Sequence, residues 1–598
     1  MFPGFRRHWC GGFFHCRLLL AVSLVSAGLM LLIFGWSATA SNGMGRASKP
    51  SEPPPRGKVA QWVLDRTANG QEAEFLVLLA DQADLREARS SKMKLERRRK
   101  VRDALWEKAN QTQQPILEWL EQRKIEHRAF YIVNAIWVKA DAQTATTLAA
   151  RSDVVRIEGN PQIRNRIIET MPTSIPPSAP DATTTVQTGI AYSHAPQVWA
   201  LGYTGQGVVI GGADTGYRWT HTALKSKYRG WNGTTASHDY NWHDSVHSGD
   251  STGCVLNSAA PCDDNNHGTH TMGTAVGDDG LTNQIGMAPG AKWIGCRNMN
   301  HGFGTPARYI ECMEFFLAPY PVGGTPAQGD PTLAPDITTN SWACPDTEGC
   351  AVNSLQAAVE AQRAAGIFMV VAAGNEGQFG CHSVMYAPGI YDAVYSVGAL
   401  NNGTDTLANF SSRGSVTVDS SNRMKPDISA PGTNVLSSTK DSNTSYDSMQ
   451  GTSMATPHVA GAVALLWSAQ PLLRNNVEAT EAILNQSAFP IPSNTCSSAF
   501  TSPNNAFGYG RLDVKAAVDY ALLRTTAVNE ASGAVQVKFY AGLNRTYRLE
   551  YKAVATDVDW APVPGAGDLV ASADGEAQLT DPNAGAQEQR YYRVRIVN

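Results

Sequence analysis

Proline divides this chain before any pattern of secondary structure is read. Pro50 and the run Pro53-Pro54-Pro55 stand between Ser41 and about Lys58, and Pro172, Pro176, Pro177 and Pro180 stand among serine, threonine and alanine between Thr170 and Thr185. Proline lacks an amide hydrogen and fixes φ, so such stretches fit neither a sheet ladder nor a helix interior and read as linkers. At 598 residues the chain is also too long for a single hydrophobic core. Folded units are therefore expected over residues 59–164, 189–524 and, after a change of composition, 527–598, with linkers at 41–58 and 165–188. A hydrophobic content of 42% with 17% charged residues marks these units as ordinary globular protein. A net charge of −4 gives no basic surface for a nucleic-acid partner.

Residues 1–40 read as an export signal. Arg6, Arg7 and Arg17 supply the positive flank, Leu18 to Trp36 is uncharged and largely apolar, and Ala38-Thr39-Ala40 has the small-residue form of a cleavage site. A retained membrane anchor is the rival reading, since the run is long enough to span a bilayer. Ser23, Ser26, Gly28 and Gly35 dilute it, so cleavage is expected, with only transient membrane contact and a secreted or cell-envelope location. Cysteine usage agrees. Beyond Cys10 and Cys16, the other eight (Cys254, Cys262, Cys296, Cys312, Cys344, Cys350, Cys381 and Cys496) all lie in the central unit, an even set suited to disulfides in an oxidising compartment. Eight cysteines allow about 105 pairings, so the connectivity is not readable, and Cys254–Cys262 and Cys344–Cys350 are suggested only by their closeness in sequence. No C-x-x-C pair or histidine spacing supports zinc.

The first unit reads βαββαβ: a strand at Phe75–Ala80, charged helical sequence from Arg86 to Lys124 interrupted at Pro115, two strands within Arg128–Ala140, a helix at Ala142–Ala150 and a strand at Val154–Ile157. The run Glu96-Arg97-Arg98-Arg99-Lys100 is expected on a solvated helix face. In the central unit apolar strands, among them Val208–Ile210 and Ile367–Ala373, alternate with helical segments, the pattern of an α/β domain with a parallel sheet covered on both faces. In the last unit Tyr547, Leu549 and Tyr551, and Tyr592, Val594 and Ile596, alternate with polar residues, so a small antiparallel β domain is expected.

Three central motifs carry chemistry, and each has an ordinary alternative. GVVIGGADTG places Asp214 at the carboxyl end of a buried strand, where a carboxylate can orient an imidazole, although Asp before Gly is also turn chemistry. NNHGTHTMGTAVG places His267 ahead of a small-residue helical segment, with His270 a competing candidate. GTSMATPHVAGAVALLW places Ser453 where a loop meets an apolar helix, a position that favours developing negative charge and equally suits a plain N-cap. Asp263 and Asp264, just before His267, read either as selectors of basic substrate residues or as solvated loop carboxylates.

Taken in order, GGADTG, HGTHTMG and GTSMATPHVAG resemble the three signatures of the subtilisin-like serine peptidases. GMAPGAKW, NSW at Asn340–Trp342, MVVAAGNEG, NFSSRG and KPDISAPG extend the resemblance over 189–524, and their wording is most similar to the bacillopeptidase F-like branch. The resemblance implies a subtilisin-like, mostly parallel sheet flanked by helices, and an endopeptidase acting on proteins or peptides. Ser453 would be the nucleophile, His267 the general base and acid, Asp214 its orienting carboxylate and Asn375 the oxyanion-hole amide. Ser341, Trp342, Ala343, Gly374 and Glu376 would contact substrate; the family commonly has glycine where Ala343 stands, which leaves side-chain preference open. The resemblance further implies a ferredoxin-like inhibitory propeptide over 59–164, acting on its own catalytic domain, with self-processing in 165–188 and a C-terminal module that caps the fold or contacts a surface or polymer. No cofactor is required for catalysis; structural calcium is compatible with the family, but no Asp-rich loop identifies ligands. The rival functions are an inactive, peptide-binding homologue and an exopeptidase.

Overall fold

The computed structural model describes residues 57–91, 93–165, 185–522 and, in the C-terminal region, 525–531, 533–541, 546–554, 559–572, 575–584 and 590–597. The export signal, nearly all of the first linker and most of the second lie outside the described residues.

In the N-terminal unit, β1 (Ala73–Leu79), α1 (Lys94–Gln122), β2 (Glu126–Phe130), β3 (Ala135–Ala140), α2 (Ala142–Ala149) and β4 (Val154–Gly159) follow the βαββαβ order, and the strands form an antiparallel sheet in the order β2-β3-β1-β4. One expectation is corrected here. α1 continues unbroken through Pro115, because Val101, Leu105, Ala109, Ile116 and Leu120 form one buried stripe whose packing outweighs the missing backbone hydrogen bond. A two-residue strand, β5 (Ile163–Arg164), leaves the unit towards the central domain.

The central domain is built on β6 (Val209–Asp214), β7 (Trp242–Asp244), β8 (Lys292–Arg297), β11 (Ile337–Asn340), β12 (Phe368–Ala372), β13 (Tyr395–Leu400) and β14 (Ile428–Pro431). Between β8 and β11 come the short strands β9 (Met299–Asn300) and β10 (Phe303–Gly304). The seven longer strands form a parallel sheet in the order β14-β13-β12-β11-β6-β8-β7, an α/β architecture. Helices α3 (His267–Val276), α4 (Pro306–Leu317), α5 (Gln356–Ala364) and α6 (Thr452–Ala469) cover its faces. α6 is apolar almost all round and correspondingly buried along its length, with Val459, Val463, Leu466 and Trp467 in the main core. Gly461 lets it approach its neighbour: a Cβ there would lie 2.4 Å from Met287 Cβ.

Four disulfides, Cys254–Cys262, Cys296–Cys312, Cys344–Cys350 and Cys381–Cys496, use all eight central cysteines and include both pairs suggested by closeness in sequence. In the C-terminal region antiparallel strands pack over Val537, Phe539, Tyr547 and Leu549, and Thr546–Lys552 pairs with Tyr591–Ile596 in the register Tyr547↔Ile596. Among the described residues no helix is long and apolar enough to cross a membrane.

The N-terminal unit meets the central domain through specific polar contacts, and these correct the solvated-face reading of Glu96–Lys100 at two positions, while Glu96, Arg99 and Lys100 are exposed as expected. Arg97 and Arg98 are buried. Arg97 donates to the carbonyls of Ala364, Asn475 and Arg363, while Arg98 donates to those of Ala334 (2.9 Å) and Pro335 (2.7 Å) and pairs with Asp336. The charge run thus plugs into backbone acceptors at the foot of the sheet, where a planar guanidinium satisfies several at once. At α4, Glu314 accepts the N–H groups of Tyr131 (2.6 Å) and Ile132 (3.0 Å), and Asn160 accepts from Ala307 at the helix start.

Candidate active site

β6 is a central strand, flanked by β8 and β11, and its last residue brings Asp214 to the carboxyl edge of the sheet. α3 begins at His267, which the fold sets against that carboxylate: His267 Nδ1 donates to Asp214 Oδ1 at 2.7 Å, with both side chains buried. Asp214 also accepts from its neighbour's N–H, Thr215 (2.8 Å), and from the Thr271 hydroxyl (3.2 Å). Burial works against the His267 cation, but the Asp214 carboxylate, with Asp263 beyond it, lifts the imidazole pKa above its ordinary value. Nε2 of His267 has no hydrogen-bond partner among the described residues. His270, the competing candidate, faces the carbonyls of Val435 and Asp447, and burial together with neighbouring His267 lowers its pKa to about 3, so it serves as a neutral structural residue.

Ser453 is the second residue of α6, not its N-cap. Gly451 takes the cap position at φ +147°, a conformation that favours glycine, and the turn sets Ser453 where the helix's unpaired N–H groups and positive end concentrate. Its Oγ donates to the Ser341 carbonyl at 3.3 Å, and the Ser341 hydroxyl donates back to the Ser453 carbonyl at 3.0 Å. Asn375 follows β12, and its Oδ1 accepts from both the N–H and the hydroxyl of Thr452 at 2.9 Å.

A cleft beside Ser453 is lined by Ser341, Trp342, Ala343, Gly374, Asn375 and Glu376. The fold therefore gathers these sequence-predicted positions, with differing exposure. The Trp342 indole is buried, stacked on Tyr309 at 3.9 Å and donating to the Ala213 carbonyl, which leaves its backbone as the part able to meet a ligand. Glu376 is buried and bonded to Ser412. Asp263 and Asp264 are neither solvated nor turned to the cleft: Asp263 accepts only from residues of its own neighbourhood, and Asp264 is buried against Arg297. Thr452 and Glu348 went unnoticed in the sequence, the first because threonine beside a serine carries no signature, the second because its role depends on the path of a distant segment.

That segment is the end of the N-terminal unit. β5 pairs antiparallel with β10 in the register Arg164↔Phe303, Asn165 N–H donates to the Gly302 carbonyl (2.8 Å), and Arg164 N–H donates to Glu348 (2.9 Å). The Asn165 side-chain amide then reaches the Ser341 carbonyl at 3.2 Å, the acceptor shared with Ser453. Arg164 and Asn165 line the same cleft as Ser453 and Asn375. Among the described residues no cluster of three or more His, Cys, Asp or Glu side chains is arranged to hold a metal ion.

A parallel sheet with a carboxylate–imidazole pair at one strand end and a serine on the first turn of a buried helix defines a subtilisin-like α/β fold. The model of the subtilase family matches residues 205–510. Bacillopeptidase F of Bacillus subtilis (strain 168) is 35% identical over 479 residues, which is 77% of this chain and 31% of that protein, so the chain spans about a third of that relative. Subtilisin DY of Bacillus licheniformis is 32% identical over 51% of this chain and 94% of its own, and the thermophilic serine proteinase of Bacillus sp. (strain AK1) is 29% identical over 55% and 67%. The chain belongs to the subtilase family.

Proposed function

We propose that this subtilase is a secreted serine endopeptidase made as a self-inhibited precursor. The observation that carries the reading is the Asp214–His267 pair, whose histidine begins a helix packed against the one that carries Ser453 in its first turn: the imidazole gives Nδ1–H to a buried carboxylate and keeps Nε2 without a partner among the described residues, the tautomer a general base requires. In this reading Ser453 Oγ turns from the Ser341 carbonyl to His267 Nε2, gives up its proton there and attacks the substrate carbonyl. The resulting oxyanion is received by the Ser453 N–H at the helix start and by the Asn375 side-chain amide, whose Oδ1 is already anchored on Thr452 and whose NH2 is thereby oriented. His267 then passes the proton to the leaving amine, and a water, deprotonated by the same imidazole, releases the acyl group from Ser453. Ser341, Ala343, Gly374 and Glu376 form the wall against which the substrate lies.

Residues 59–164 act in this reading as the inhibitory propeptide. Support comes from β5 and Asn165, which occupy the cleft as an added strand, the way an extended substrate would. The self-processing cut then falls in the residues immediately after Asn165. Secretion rests on the N-terminal sequence and on four disulfides, which suit an oxidising compartment. The C-terminal β region serves as a cap or as a contact with a surface or polymer.

Purified wild-type protein is expected to cut a denatured protein at internal bonds, as read by mass spectrometry of the products, and to lose that activity to a serine-directed acylating inhibitor. The Ser453→Ala protein is expected to leave the substrate intact and to remain an uncut precursor in a protease-deficient host. Equal action of the two proteins, or none by wild type, would overturn the reading.

A further inference from the structure

Asp263 is a carboxylate with 8% exposure, four residues ahead of His267. It accepts five hydrogen bonds: Oδ1 from the Thr215 hydroxyl (2.9 Å), Asn265 N–H (2.9 Å) and Asn266 N–H (3.1 Å), and Oδ2 from Thr269 N–H (3.1 Å) and the Thr269 hydroxyl (2.6 Å). Every partner is a donor, and among the described residues no cation pairs with it. Burial pushes the carboxyl's pKa up, while the bonds from Thr269, Asn265 and Thr215 work the other way and favour the ionised form.

The Thr215 hydroxyl does two things at once. It donates to Asp263 and accepts the Gly268 N–H at 3.0 Å. Thr215 follows Asp214 and Gly268 follows His267, so one carboxylate, through one hydroxyl, ties together the backbone on either side of the 2.7 Å Asp214–His267 bond. The start of α3 needs this. Asn266 sits at the cap position with φ +82° and makes no side-chain cap bond, and the first-turn N–H groups of Gly268 and Thr269 are served by Thr215 and Asp263 instead.

We propose that Asp263 is a positioning residue for the Asp214–His267 pair, holding the imidazole in register and adding a second negative charge to its surroundings. The inference rests on the peptidase reading above. The titratable groups acting on His267 are Asp214 from the strand end, Asp263 from the loop before the helix and His270 one turn on, which is neutral. Of the two carboxylates, Asp214 bonds the imidazole and Asp263 acts on it from a distance.

The test compares wild type with Asp263→Asn, Thr215→Val and Thr215→Ser, each expressed as the full chain, on a short peptide substrate across pH. Asp263→Asn is expected to lower kcat roughly tenfold or more with KM within about twofold, the signature of a misaligned base. It should also move the acid limb of the rate profile down by about half a pH unit, because a negative charge near the imidazolium is gone. Thr215→Val breaks the link but keeps the charge, so kcat falls while the limb stays, and Thr215→Ser restores most of kcat. A wild-type kcat and limb in Asp263→Asn, or a lower melting temperature with neither kinetic change, would overturn the proposal. If Asp263→Asn does not mature, the threonine pair decides, and wild-type kcat in Thr215→Val overturns it. Failure of the peptidase reading itself is separate, since it shows as Ser453→Ala acting equally with wild type or as no activity by wild type.

Discussion

The Ser341 hydroxyl, 3.0 Å from the carbonyl of Ser453, supplies the hydrogen bond that α6 cannot make for itself. A helical carbonyl is served by the N–H four residues on, and here that residue is Pro457, inside the helix and without an N–H. The serine that bears the proposed chemistry therefore has its backbone held by a residue of the cleft wall.

Ser341→Ala should accordingly destabilise the inhibitor-blocked protein by about 1–3 kcal/mol in urea unfolding, the cost of a buried carbonyl left unpaired. In a Pro457→Ala background, where the helix regains its own donor, the same substitution should cost clearly less. Additive losses in the double-mutant cycle would show that the two are not linked.

The acid limb of kcat/KM should lie above the ordinary imidazole value of 6.5, because Asp214 stabilises the His267 cation against its burial. Activity is then lost as pH falls through that raised pKa, where the base becomes protonated. A limb at or below 6.5 in wild-type kinetics would contradict the assigned contact.

Asn375→Ala should reduce kcat by about 10²–10³-fold with little change in KM, the size known for an oxyanion donor in subtilisin itself. A change confined to KM would place Asn375 in ground-state binding instead.

Arg98→Ala should loosen the N-terminal unit of the full-length Ser453→Ala protein by about 1–3 kcal/mol, since it leaves two carbonyls unserved while Lys94 still pairs with Asp336. Hydrogen exchange in residues 94–122 reads the effect.

Glu314 gives the same full-length protein a pH signature. Burial raises its pKa from 4.5 to about 8, against the hydrogen bonds of Ile132 and Tyr131, and the Glu311 carboxylate adds to the rise. A carboxyl whose folded pKa exceeds its unfolded one binds protons more tightly when folded. Its contribution is complete below pH 4.5 and is lost as pH climbs through about 8. The melting temperature should fall over that window, and Glu314→Gln should flatten the slope.

Sequence alone reached the site's reactive positions because their chemistry is local: Asp214, His267 and Ser453 each sit in a short motif whose turn or helix start is written in adjacent residues. The βαββαβ order was equally legible from periodicity. What escaped depends on residues brought together by the fold rather than by adjacency in the chain. Arg97 and Arg98 read as solvated because a charge run gives no sign of the carbonyls of Ala334 and Ala364 that await it. Pro115 read as a break because its cost is local while the packing of Ile116 and Leu120 that offsets it is not. Asp263 stayed ambiguous in part for the same reason: one of its partners, Thr215, lies 48 residues earlier in the chain.

The Cys381–Cys496 bridge closes a ring 115 residues apart in sequence, and α6 with Ser453 lies inside it. A single cut in any loop of that ring, by any proteinase, yields two ends but no separate fragment. The nicked molecule would keep its mass on a non-reducing gel and come apart only when a thiol is added, so damage there is survivable for as long as the surroundings stay oxidising.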